Sequence, residues 1–132
     1  MEFTVAQAGG YIEGRVAGLG MREAGDEGHF FIFQGDLEEI DESERAMGWD
    51  TYHVNIDDEE TNYGGIVRCV MDRESLRIEF SPEAADALDT SELSLALELT
   101  DAELSEAARY LRMILLSGRA SEHPELLISG IE

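Results

Sequence analysis

The stretch Ser91–Gly118, SELSLALELTDAELSEAARYLRMILLSG, changes its hydrophobic period halfway along, and that change decides the fold class. Before Thr100, Leu93, Leu95, Leu97 and Leu99 recur at every second residue, which puts them on one face of a β-strand. After it, Leu104, Ala108, Leu111 and Leu115 recur at helical spacing, and Ala107 and Ile114 broaden the stripe. Thr100 and Glu103 stand three apart at the switch, as in a capping box, where each side chain satisfies the other residue's backbone N–H. Gly118 can end the helix in a left-handed conformation. A helix gains most of its stability from burying its apolar side, so this one is expected to lie on a sheet.

Upstream the strand period prevails. Phe3 and Val5 alternate with polar or small neighbours, and a segment from Tyr11 to about Met21 is apolar but dotted with Gly14, Gly18 and Gly20, which predicts one bulged or curled strand. Phe30, Phe31, Ile32 and Phe33 are apolar on both faces and predict a central strand covered on two sides. Tyr52, Val54 and Ile56 form a fourth strand, Ile66 to Met71 a fifth, and Leu76, Ile78 and Phe80 a half-buried sixth. Ser81-Pro82-Glu83 opens a short helix to about Leu88, with a capping hydroxyl before a proline at the first helical position. Asp36 to Asp50 reads as a loop with helical character, since Leu37, Ile40, Ala46 and Met47 give only a weak apolar face. Strands first and a long helix last predict an α+β fold: a largely antiparallel sheet of about six or seven strands with the C-terminal amphipathic helix packed on it. No repeat, linker or low-complexity tract divides residues 1–132, so one domain is expected.

The 132 residues are enough to bury roughly two-thirds of the unfolded surface without a disulfide or metal. The single cysteine, Cys69, excludes an intramolecular bridge and fits a reducing cytoplasm. No signal peptide or membrane-spanning run is read from the sequence, so a cytoplasmic location is expected. The formal net charge is −21, from 30 acidic against 9 basic residues. Such a field repels nucleic acid and anionic membranes and attracts basic proteins, although solubility or salt adaptation produces the same composition.

Catalytic patterns are missing. His29, His53 and His123 are far apart in sequence and belong to no zinc-ligand motif, so each reads as a structural or surface histidine. Gly18-Leu19-Gly20 begins like a dinucleotide fingerprint, yet Glu23 stands where the third glycine belongs. Asp57-Asp58-Glu59-Glu60 lacks the alternating ligands and central glycine of a calcium loop. No catalytic residue, metal site or cofactor is assigned, and the chain is not expected to be an enzyme.

What remains is a surface. Between Asp36 and Glu60 lie Glu38, Glu39, Asp41, Glu42, Glu44, Asp50, Asp57, Asp58 and Glu59, opposed only by Arg45, and around them Trp49, Tyr52 and Tyr63. Carboxylates steer a basic partner inward, while aromatic rings supply the short-range energy that slows its release. The candidate partner-binding residues are therefore Glu38, Glu39, Asp41, Glu42, Glu44, Trp49, Asp50, Asp58, Glu59, Glu60 and Tyr63; for Trp49 a core position is an equal reading. Tyr63-Gly64-Gly65 suits a backbone of positive φ, and the strands on either side could pair as a hairpin with Asp57 to Asn62 at its tip.

Met47-Gly48-Trp49-Asp50-Thr51-Tyr52-His53-Val54, then Thr61-Asn62-Tyr63-Gly64-Gly65-Ile66-Val67, then Leu76-Arg77-Ile78-Glu79-Phe80 and the Leu95–Leu99 strand resemble the Imm10 family of immunity proteins of bacterial polymorphic toxin systems. The resemblance covers the middle and later half of the chain. It implies a protein that binds and neutralises a cognate toxin; the acidic charge adds the expectation that it does so by occluding the toxin's active surface, the toxin domain being a basic protein. An acidic protein-binding or regulatory module with an unrelated basic partner would share the composition, and a homodimer through an exposed strand stays open.

Overall fold

The computed structural model describes residues 2–25, 28–37, 51–118 and 120–131. Along the chain these form β1 (Glu2–Val5), β2 (Gln7–Glu13), β3 (Val16–Arg22), β4 (Phe30–Asp36), β5 (His53–Ile56), β6 (Glu60–Tyr63), β7 (Ile66–Met71), β8 (Ser75–Phe80), α1 (Pro82–Leu88), β9 (Glu92–Leu97), α2 (Asp101–Leu115), a 3₁₀ turn (Ala120–Glu122) and β10 (Glu125–Ile128). The class is α+β. The strands make two five-stranded sheets, the first ordered β1-β9-β8-β7-β10 and the second β2-β3-β4-β5-β6. Pairing is antiparallel except at the two edges of the first sheet, where β1 runs parallel to β9 and β10 to β7.

Two chain crossings account for there being ten strands in two sheets. Between β1 and β2 the chain passes at Ala6 from one edge of the first sheet to one edge of the second. It returns between β6 and β7 at Gly64-Gly65, with φ of +69° and +87°. The two glycines are therefore not the close of a β5–β7 hairpin: the strand that pairs with β5 is the short β6, and β7 belongs to the other sheet. At Gly65 a side chain would also overlap Cβ of Ala84 in α1, so the crossing needs both the left-handed backbone and the missing Cβ. The segment predicted as one curled strand from Tyr11 to Met21 is likewise two strands, because Gly14, at φ +59°, reverses the chain into a hairpin of β2 and β3.

The inner faces of both sheets supply one core. Phe31, Phe33, Leu19, Met21, Leu76, Ile78, Leu93 and Leu95 are all buried in it, as are Leu104, Ala107, Ala108, Leu111, Ile114 and Leu115 along one side of α2. Strand β4 is central in its sheet, but of its four apolar residues only Phe31 and Phe33, on the inner side, are fully buried; Phe30 and Ile32 on the outer side are half-buried. Helix α2 opens with the expected box: Glu103 N–H donates to Thr100 Oγ1 at 3.2 Å and Thr100 N–H to Glu103 Oε1 at 3.0 Å. The other carboxylate oxygen accepts the Ala8 N–H at 3.1 Å, tying the helix start to β2. The helix lies on β2, β3 and β4. Ser81 caps α1 through the Ala84 N–H. Among the described residues no helix is long and apolar enough to cross a membrane.

Candidate partner-binding surface

The hairpin β5–β6 carries the described part of the predicted surface. Asp57 and Asp58 at its tip have φ of +57° and +59°, and Glu59 N–H donates to Ile56 O at 3.1 Å. Positive φ at both central residues is what a type I′ turn asks for, normally of Asn or Gly. Here side chains hold it. Asn55 Oδ1 accepts the Asp58 N–H at 2.8 Å, and Asn55 Nδ2 donates to Asp58 Oδ1 at 3.0 Å. Asp57 is a clasp rather than a free charge: Oδ1 accepts the Phe30 N–H at 2.8 Å and Oδ2 meets His29 Nδ1 at 2.6 Å. That hydrogen bond, more than any other neighbour, raises the His29 pKa above its ordinary value. Asp58 and Glu59 are left exposed at the end of this hydrogen-bonded turn, with half-buried Glu60 opening β6.

Tyr63 ends β6 on the surface, 43% exposed, with its ring 4.7 Å from that of His53 directly across the pair. Burial lowers the His53 pKa, which favours the neutral ring beside the tyrosine. Tyr52, grouped with the surface aromatics from sequence, is instead a core residue with no exposure. Its hydroxyl accepts the Ile66 N–H at 2.9 Å and donates to Glu122 O at 3.0 Å, so it ties the start of β7 to the 3₁₀ turn. The alternation Tyr52, Val54, Ile56 already placed it with the buried set. Glu38, Glu39, Asp41, Glu42, Glu44, Trp49 and Asp50, and the helical character expected there, lie outside the described residues.

The register extends the surface beyond these residues. Tyr11, Gly18, Gln34, His53 and Tyr63 align in one row across the outer face of the second sheet. The Tyr11 ring lies over Gly18, and its hydroxyl accepts from Gln34 Nε2 at 2.9 Å. In the next row stand Gly9, Gly20, Ile32, Asn55 and Thr61. Sequence reading missed Tyr11, Gln34 and Ile32 as surface candidates because the β2–β3 turn at Gly14 was not recognised, and without it the rows do not exist.

The outer face of the first sheet has a different character. Arg77 Nε reaches Glu92 Oε1 at 2.9 Å across β8 and β9, and Arg68 Nε reaches Glu125 Oε2 at 3.9 Å across β7 and β10. These are cross-strand ion pairs of a solvated face. Among the described residues no three His, Cys, Asp or Glu side chains group as they would to hold a metal.

A family model described as Immunity protein 10 matches residues 4–105. Comparison with curated proteins and with solved structures gives no match.

Proposed function

Because the chain belongs to the Immunity protein 10 family, whose role is immunity to a toxin, we propose that it acts by binding a cognate toxin and occluding the toxin's active surface. The action is stoichiometric rather than catalytic. The observation that carries this reading is the presence on one hairpin of Tyr63, 43% exposed, and the carboxylates Asp58, Glu59 and Glu60. An aromatic ring at one end of a hairpin and acidic groups at the other offer short-range contact and long-range attraction together, the combination that captures a basic protein surface. With a net charge of −21, the chain favours a toxin domain that is positively charged where it is covered. Nucleic acid and membrane are not partners in this reading, and the complex forms in the cytoplasm of the producing cell.

The test is direct. The product of the adjacent toxin gene is expressed with and without this chain, and cell survival is measured together with binding of the purified pair by calorimetry. Protection with a 1:1 complex is expected. Protection without a detectable complex would overturn occlusion, and neither protection nor binding would overturn the toxin pairing itself.

A further inference from the structure

Resting on the toxin-binding reading, we infer that the toxin docks on the outer face of the second sheet, with an apolar side chain of the toxin seated in the trough above Gly9 and Gly20. The first ground is where charge is absent. In a chain with 30% charged residues, neither complete row across this face, Gly9-Gly20-Ile32-Asn55-Thr61 or Tyr11-Gly18-Gln34-His53-Tyr63, contains one. The ends of the strands that frame it carry Glu13, Asp58 and Glu59 against Arg22, while Arg15 and Asp36 hold each other at 3.0 Å and Asp57 is held by His29. An uncharged centre with aromatic rings inside a charged rim is how protein interfaces are built. The first sheet's outer face, crossed by ion pairs, is not.

The second ground is shape. A trough of about 460 Å³, lined by Gly9, Gly20, Arg22, Phe30 and Ile32 among others, lies along β2, β3 and β4. Its glycines have no internal reason to be glycine. Neither has a positive φ, a side chain on Gly9 would meet nothing within 4 Å, and one on Gly20 only Gly9 O at 3.9 Å. Glycine weakens a strand interior, and a strand keeps it where another chain must come close.

Charge chooses the occupant. A second copy would bring a net charge of −21 against the acidic rim, whereas a cationic toxin surface matches it. The extent also fits. Three strands of seven residues and two of four span about 450 Å² in plan at standard strand spacing. The rim then supplies the remainder of the roughly 800 Å² that each side of an ordinary interface buries.

The experiment fills the trough without harming the fold. Gly20→Val and Gly9→Val put β-formers into open space, so melting temperature should hold or rise. Affinity for the purified toxin should fall at least tenfold. Thr61→Arg, exposed in the same row, places a like charge before a cationic partner and should weaken binding by a similar factor. Ala96→Val on the first sheet's outer face should change affinity less than twofold. Wild-type affinity in a folded Gly20→Val or Gly9→Val protein together with wild-type affinity in Thr61→Arg would overturn this docking face while leaving toxin binding intact. A wild-type chain that does not bind the toxin at all would overturn the parent reading instead.

Discussion

Replacing Tyr52 with phenylalanine separates a core role from an interface role with one atom. The hydroxyl is the acceptor for the Ile66 N–H at 2.9 Å and the donor to Glu122 O at 3.0 Å, and the residue has no exposure. Without it a buried amide loses its acceptor and the Glu122 carbonyl loses a donor. Leaving a buried polar group unsatisfied costs about 1–3 kcal/mol, with the carbonyl at the low end, so the substitution should destabilise by about 2–4 kcal/mol. For a chain of this size that is a melting-temperature drop on the order of 8–15 °C. Urea unfolding followed by circular dichroism reads the free energy, and calorimetry reads the midpoint. At a temperature where the variant is folded, toxin affinity should stay within threefold of wild type. Alkali gives a second readout: burial raises the Tyr52 pKa far above that of a free phenol, so folded protein holds this proton above pH 10 and loses stability as pH climbs past the unfolded value. A loss below 1 kcal/mol, or a large fall in affinity with stability intact, would refute the assignment of Tyr52 to the core.

Gly65→Ala forces an unfavourable φ of +87° on alanine and drives its Cβ into Ala84, so denaturant unfolding should show a loss of about 2–5 kcal/mol. His29 has its pKa raised first by the hydrogen bond to Asp57, so its contribution is complete below the unfolded value of about 6.5 and fades as pH rises through the folded one. The stability difference between wild type and His29→Gln should accordingly be larger at about pH 5.5 than at pH 8 in parallel urea titrations. The Glu103 pKa is lowered, first by the Thr100 N–H and then by that of Ala8, so its contribution is present above the unfolded carboxylate value and lost on acidification. Glu103→Gln should be less stable than wild type at pH 7 and indistinguishable from it near pH 3. Neutralising Asp58, Glu59 and Glu60 together should slow toxin association several-fold at low salt, with little change in dissociation, and the gap should close in about 0.5 M salt, as stopped-flow rates would report.

The helix α2 was legible because its signals agree. Period and capping box agree on the start, and the residues of the predicted stripe are buried, together with Tyr110; the helix ends at Leu115 with Leu116 as its cap, and Gly118, at φ +68°, follows two residues later. The alternating leucines of β9 were equally plain. Strands failed to separate where a glycine could mean several things. Gly14 in an apolar run reads as a bulge as readily as a turn, and only the pairing of Glu13 with Val16 tells them apart. The short strands β6 and β10 carry little apolar pattern of their own; each exists because a neighbour already in place offers an edge. The single predicted sheet became two for the same reason. Period marks which side of a strand is buried, but not which sheet the strand joins.

The candidate site was legible by charge and less so by position. Counting carboxylates directs attention to Asp57-Asp58-Glu59-Glu60, yet of the first two only Asp58 is left to face a partner, since Asp57 is consumed by His29 and the Phe30 N–H. Composition alone also left two readings of a net charge of −21, a general surface property or a specific role. The register suggests how both hold at once. Carboxylates occupy both sheets and the helices, as a general property would have it, and the first sheet balances some of them with arginines. The two complete outer rows of the second sheet omit charge and set tyrosine, histidine, glutamine and glycine in its place. A solvated face has no reason to exclude the charged side chains that make up 30% of the chain, whereas a face that must be dried by a partner does, because every stranded carboxylate there would resist desolvation. The proposed division of labour follows: acidity acts at a distance and is tolerant of where it sits, and the uncharged rows act in contact and are not.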